Sequence, residues 1–125
     1  MIVGIGTDII EVARVKKSIE TINGFKEKIF SSDEIRYCES KRNKYEHYAG
    51  RFAAKEAYFK AIGTGWRNGL AFNEIHILND HLGKPVIILS GKAMEQCEKS
   101  GVTNKQVSIS HLKDIASAFV IIEIT

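Results

Sequence analysis

Proline occurs once in the 125 residues, and no stretch is dominated by Gly, Ser or Pro, so nothing reads as a linker. The length suits one domain with a modest core, and a single domain over 1–125 is expected. Cysteine is nearly as scarce. Cys38 and Cys97 stand far apart with no C-x-x-C pattern, which argues against zinc and against a redox motif and leaves two reduced thiols. The four histidines form no H-E-x-x-H and no close cluster. No apolar run approaches the length of a membrane span. The opening "MIVGIGTDII" lacks a basic leader and reaches a charge within eight residues, so the expected compartment is the cytoplasm. A large charge of one sign is missing too. The net charge is +3, and residues 1–60 hold the whole excess, twelve Lys and Arg against nine Asp and Glu. That asymmetry hints at an anionic partner. It is too small to demand nucleic acid, and the basic–aromatic interleaving of single-strand binders is absent. Neither nucleic acid nor a membrane is expected as a partner.

What is present is a readable order of elements. Residues 1–8 read as a strand. Val12, Val15, Ile19 and Ile22 recur at helical spacing, which predicts a helix over Glu11–Ile22. Ser31 and Glu34 form a capping-box pair, so a helix should run from there to about Ser40. A longer helix follows from about Lys44 to Ile62, stopped by Gly63. Asn73–Asn79 and "PVIILS" read as a hairpin across "DHLGKP". Ser90–Ser100 reads as a short helix. Gln106–His111 and Ile115–Ile124 read as a second hairpin. Helices come mostly first and strands mostly later, which predicts an α+β fold with an antiparallel sheet. The last strand, "IASAFVIIEI", is apolar on nearly both faces. Either a helix or a neighbouring subunit must cover the second face. The subunit needs no extra helices, and a homo-oligomer is expected.

"GIGTDII" at 4–10 begins like a dinucleotide fingerprint, but Ile9 stands where Gly or Ala is required, and there is no room for a doubly wound sheet. A P-loop is absent as well. In an extended strand Gly4, Gly6 and Asp8 share one face, and Val3, Ile5 and Thr7 share the other. Two readings follow. The bare face lets something approach the backbone, with Asp8 as a metal ligand at its end. Alternatively, the glycines only admit a crossing helix and Asp8 caps the next one.

The long helix bears on that choice. At about 100° per residue, Tyr45, Ala49, Phe52, Glu56 and Phe59 fall on one narrow face. A charge at Glu56 is costly there unless it is paired or metal-bound. Lys60, four residues on, can pair with it, or can reach water and leave Glu56 to another partner. Two carboxylates, Asp8 and Glu56, suffice for Mg²⁺ when substrate phosphates supply other ligands. Arg51, Lys55 and Lys60 suit phosphate, and the "GTG" at 63–65 permits a backbone concavity facing an anion. Jointly these residues describe a metal–polyphosphate site.

The order and spacing of "GIGTDII" (4–10), "GRFAAKEAYFKAIGTG" (50–65), "GKP" (83–85) and "SISH" (108–111) resemble the bacterial holo-[acyl-carrier-protein] synthases, the small type of 4′-phosphopantetheinyl transferase. The resemblance implies a Mg²⁺-dependent enzyme that moves the 4′-phosphopantetheine arm of coenzyme A to a serine of an acyl carrier protein, for fatty acid biosynthesis, and releases adenosine 3′,5′-bisphosphate. It implies a compact α+β trimer with active sites at subunit interfaces. Carried over, Asp8 and Glu56 are metal ligands and, with Lys60 facing the pyrophosphate, the catalytic group. Arg51, Phe52, Lys55, Lys60, Gly63, Thr64 and Gly65 become coenzyme A contacts, as do Gly83, Lys84 and Pro85. Ser110 and His111 would reach the nucleotide end from a neighbouring subunit.

The serine proton could pass to Glu56 or to a metal-bound water, and the sequence does not choose. One departure stands out. The family meets its acidic carrier with arginines on the first helix, whereas here Arg14 is accompanied by lysines, of which Lys17 shares its face. Lysine supplies charge without a bidentate fork. Arg14 and Lys17 are therefore the expected carrier contacts, with the carrier's identity open. A non-catalytic coenzyme A or nucleotide module is the rival reading, but it would need neither Asp8 nor Glu56.

Overall fold

The computed structural model describes residues 1–63 and 69–125. Five strands and five helices follow one another as β1 (Ile2–Glu11), α1 (Val12–Thr21), α2 (Phe25–Ile29), α3 (Ser32–Glu39), α4 (Lys44–Ile62), β2 (Ile75–Asn79), β3 (Pro85–Leu89), α5 (Gly91–Lys99), β4 (Asn104–His111) and β5 (Ile115–Glu123). The α+β class is as expected. There are two antiparallel sheets, however, one of three strands in the order β1-β5-β4 and one of the two strands β2-β3.

The boundaries shift where pairing outweighs local pattern. β1 continues to Glu11 because Ile9, Ile10 and Glu11 still pair with Ser117, Ala116 and Ile115 of β5. α1 therefore starts at Val12, and its first residue is preceded by Glu11, which makes no side-chain cap. Asp8 lies three residues back inside the strand, so it does not cap α1. The α3 capping box is formed as its sequence predicts. Ser31 Oγ accepts from Glu34 N–H, and Glu34 Oε1 accepts from Ser31 N–H. Asn73 falls in a 3₁₀ turn, Phe72–Glu74, and β2 begins only at Ile75. The short α2 carries no periodic signal of its own and was not expected.

α4 is the axis of the molecule. Ala53, Ala54, Ala57 and Ala61 are buried against the three-stranded sheet, and small side chains let helix and sheet approach closely. The two strand glycines complete the fit. A Cβ on Gly6 would stand 1.9 Å from the Ala57 carbonyl oxygen, and one on Gly4 would stand 2.0 Å from that of Ala61. The glycines of "GIGTDII" thus admit the crossing helix, and by doing so they bring Asp8 to the side of α4.

β5 is not buried on both faces. Ala116, Ala118, Val120 and Ile122 alternate inward beneath α4, while Phe119 is 54% exposed on the outer face. Across the pairing, Ile5 sits opposite Ile121 and Thr7 opposite Phe119, and both Ile5 and Ile9 are exposed. The sheet therefore shows an open apolar face.

Candidate active site

α4 is enclosed on most of its circumference, and one row in its second half remains partly open. Phe52 and Glu56 are half-buried on that row, and Lys60 is exposed. Glu56 is thus at the edge of the core and not in the middle of a buried stripe, although Ala49 and Phe59 of that stripe are buried. The open row, the end of β1 and one side of α1 enclose a groove of about 380 Å³. Asp8, Glu56, Lys60, Phe52 and Arg14 line it, with Ser18 and Phe25 at its far wall.

The charges in the groove are arranged unequally. Lys60 Nζ donates to Asp8 Oδ1 at 3.1 Å and to the Thr7 carbonyl at 2.9 Å. The i,i+4 pair with Glu56 is not made, and among the described residues Glu56 has neither an ion-pair nor a hydrogen-bond partner. Burial pushes the Glu56 carboxyl above its usual value, the nearby Asp8 charge pushes it further, and Lys60 opposes both. Two carboxylates that repel one another, one of them unpartnered, form a fitting donor pair for a hard divalent cation. No cluster of three or more His, Cys, Asp or Glu exists among the described residues. Such a cation would complete its shell with water and ligand oxygens, which matches Mg²⁺ practice.

A second depression, of about 200 Å³, lies elsewhere on α4. Arg51, His47, Asn79, Gly83, Pro85 and His111 are among its walls. Arg51 is only 5% exposed, its guanidinium sits 4.1 Å above the Tyr37 ring, and it donates to Asn79 Oδ1. Asn79 in turn donates to the Gly83 carbonyl at 2.9 Å, within a turn where Gly83 has φ 85°. Arg51 Nε is buried and has no hydrogen-bond partner among the described residues. The "GKP" turn, Arg51 and His111 are therefore brought together. Lys84 is not one of the walls; its Nζ reaches Gln106 Oε1 at 3.4 Å. The groove and the depression share no lining residue.

One expectation about a site residue changes. Lys55 is fully buried and spends all three N–H groups internally, on Glu34 Oε1 at 2.7 Å and on the Phe72 and Ile75 carbonyls. No donor is left for a phosphate, so Lys55 is a core ion pair and not a coenzyme A contact. Its helical position, next to Glu56, faces α3 and β2. Ser110 and His111 alternate across β4. Ser110 is exposed, opposite Ser117, while His111 turns toward α4. They cannot serve one pocket of the same chain. Lys17 is exposed and absent from the groove wall, where Arg14 and Ser18 stand instead. Thr64 and Gly65 lie outside the described residues, and Gly63 closes α4 with φ 80°.

Sequence reasoning missed Ser18 and Phe25 in the groove, and His47 and Asn79 in the depression. His47 had a signal, since it lies one helical turn before Arg51. Asn79 had one in its place four residues before Gly83. Ser18 had one as well, one helical turn after Arg14, whereas Phe25 had none, because α2 itself was not legible.

The fold belongs to a known class of transferase. Residues 4–120 match the model of the 4′-phosphopantetheinyl transferase superfamily. The chain is 52% identical over 124 residues to the holo-[acyl-carrier-protein] synthase of Ruminiclostridium cellulolyticum, covering 96% of this chain and 91% of that one. It superposes on the crystal structure of the Neisseria meningitidis holo-[acyl-carrier-protein] synthase with a TM-score of 0.89 at 35% identity, covering 98% and 99% of the two chains. A Bacillus anthracis holo-(acyl-carrier-protein) synthase, solved in complex with CoA (3′,5′-ADP), gives a TM-score of 0.83 at 39% identity, covering 100% of this chain and 99% of that one. The chain belongs to the holo-[acyl-carrier-protein] synthase family of phosphopantetheinyl transferases. No helix among the described residues is long and apolar enough to cross a membrane.

Proposed function

We propose that this chain transfers the 4′-phosphopantetheine group of coenzyme A to a serine hydroxyl of an apo acyl carrier protein, giving the holo carrier used in fatty acid synthesis. One observation carries the reading: Asp8, Glu56 and Lys60 converge in one groove with Glu56 unpartnered. The coenzyme A complex of the Bacillus anthracis relative supports coenzyme A as the donor.

Asp8 and Glu56 would hold Mg²⁺, which when bound offsets charge on the pyrophosphate oxygens. The chain's own residues do the rest. The serine oxygen attacks the β-phosphorus in line. A new P–O bond forms as the bond to the adenosine 3′,5′-bisphosphate oxygen breaks, and the leaving group carries away the electron pair. Lys60 faces the charge that develops there. Glu56, which has no protein partner among the described residues, is the carboxylate placed to take the serine proton. Phe25 and Phe52 supply an apolar wall for the uncharged arm.

Arg14 stands at the lip of the groove and Lys17 one turn along the same helix, so an acidic carrier would dock on α1 with its serine over Glu56. These exposed charges act mainly on encounter rate. The nucleotide end of coenzyme A would occupy the Arg51 and His111 depression of a neighbouring copy. That copy would cover the open face around Ile5, Ile9 and Phe119, in the trimer that the family resemblance implies. The test is a mass measurement on apo acyl carrier protein after incubation with coenzyme A and Mg²⁺. A gain of one phosphopantetheine is expected. No gain on several carriers, with coenzyme A still bound, would leave a binding module in its place.

A further inference from the structure

The His111 ring is held from two sides. Its Nδ1 lies 2.9 Å from Glu46 Oε1, and its edge meets the His47 ring with centroids 5.1 Å apart. Neither contact is needed to close the core, since His111 is partly exposed and Glu46 and His47 lie on the first turns of α4. The strand that carries His111 approaches α4 closely. A Cβ on Gly50 would stand 2.9 Å from Ile109 Cγ2, so the glycine sets the separation at which Glu46 can reach the ring. The Glu46 carboxyl is held below its ordinary value, first of all by the bond to His111, so it is ionised and accepts.

An imidazole has two nitrogens, and a bond to one decides what the other can do. With Nδ1–H committed to Glu46, Nε2 is the nitrogen left for the depression that His111 shares with Arg51. We propose that Glu46 is a positioning residue: by taking Nδ1–H it fixes the neutral His111 ring in one tautomer and one orientation, so that Nε2 faces a ligand bound beside Arg51, accepting from an N–H or O–H of it in the neutral ring and donating to a phosphate oxygen in the imidazolium. The inference rests on the reading that this depression takes the nucleotide end of coenzyme A. Glu46 itself touches no ligand. Its effect should fall on ligand affinity and leave the chemical step, which belongs to the other groove.

Two variants separate orientation from charge. Gln at position 46 keeps an acceptor oxygen for Nδ1–H, and Leu does not. The measurements are the dissociation constant of adenosine 3′,5′-bisphosphate, KM and kcat for coenzyme A, and the ¹⁵N signals of the His111 ring. Glu46→Leu should weaken the bisphosphate and raise KM by about tenfold, in the range of other orienting contacts, with kcat within about twofold. Its ring signals should show both tautomers. Glu46→Gln should recover most of the affinity and a single tautomer. Equal losses in both variants would assign the effect to charge and overturn the positioning role. So would wild-type affinity and one tautomer in Glu46→Leu while His111→Ala loses affinity. If His111→Ala itself binds the bisphosphate as the wild type does, the nucleotide assignment of the depression fails, and this inference with it.

Discussion

Lys60 reaches back across fifty-two positions to Asp8, at 3.1 Å, and not to Glu56 one turn away on its own helix. The pairing leaves Glu56 beside a like charge with no cation of its own. A helix optimised for stability would have paired Glu56 with Lys60, at a gain of a few tenths of a kcal/mol. Among the described residues Glu56 is thus left free to take a cation from outside the chain.

Glu56→Gln and Asp8→Asn are therefore expected to keep the fold and lose turnover. Each should cost roughly 100-fold or more in kcat, about 3 kcal/mol of transition-state stabilisation. Raising Mg²⁺ should partly rescue Asp8→Asn, which keeps an oxygen donor. Steady-state rates over a Mg²⁺ series, with circular dichroism as the folding control, decide this. Near-normal turnover in both variants would remove the metal assignment.

Lys55 separates a core role from a ligand role. It is buried with Glu34, whose Oε2 also accepts the Ile77 N–H at 3.0 Å. The pair ties the start of α3 to α4 and β2. Removing one partner strands the other charge, so Lys55→Met should lower stability by about 3 kcal/mol or more. In the folded fraction, KM for coenzyme A should stay as in the wild type. Urea unfolding gives the first quantity and kinetics at low temperature the second. A raised KM without loss of stability would return Lys55 to the coenzyme A site.

Much of this was legible in the sequence, and the failures have a common cause. The capping box at Ser31, the stop at Gly63 and both hairpins are local signals, and each is present in the structure. Asp8, Glu56 and Lys60 stand out in the sequence because charge beside glycine or apolar neighbours is itself local information, and the structure brings the three into one groove. Lys55 suits phosphate by residue type alone, and its burial with Glu34 depends on contacts the sequence does not display. α4 is buried nearly all round, so neighbouring residues 55 and 56 point to a core and to a groove. The end of β1 was misplaced because its last three pairs depend on β5, more than a hundred residues away. The strand glycines admit two readings from sequence, a face open to a ligand or room for a crossing helix, and only the Ala57 and Ala61 carbonyls placed against them decide for the helix.

Glu39 gives a pH signature of stability. Its carboxyl lies below the ordinary 4.5, chiefly because the Tyr48 hydroxyl donates to it, with help from Lys44 and Lys26. A depressed carboxyl contributes stability that is present above its unfolded value and is lost as pH falls through the folded one. Glu39→Gln should therefore be less stable than the wild type by about 1 kcal/mol near pH 7, a modest figure because the side chain is partly exposed and screened. The two proteins should converge in acid, once the pH is well below the ordinary 4.5. Thermal melts near neutral pH and in acid test this, and a constant difference would place the effect in packing instead of charge.

The separation of the two depressions bears on how many chains make one site. One contains Asp8, Glu56 and Lys60, the other Arg51, Gly83 and His111, and no residue belongs to both. On the proposed reading a coenzyme A molecule would lie between copies, one giving the groove and the next giving the depression. The open apolar face around Ile5, Ile9 and Phe119 gives such a contact its driving force. Mixing then becomes decisive. Glu56→Gln alone and His111→Ala alone should each be poorly active, since every site in either protein lacks one half. After co-refolding in equal amounts, some sites pair an intact groove from one variant with an intact depression from the other. For random mixing in a closed ring, about one quarter of the sites are restored in this way. Activity should rise toward about a quarter of the wild-type value, and Phe119→Glu, which places a charge on the shared face, should abolish both the assembly and the recovery. Sedimentation and turnover on the same samples test the two parts together. No recovery from a mixture whose subunits demonstrably exchange would place both halves of the site on one chain.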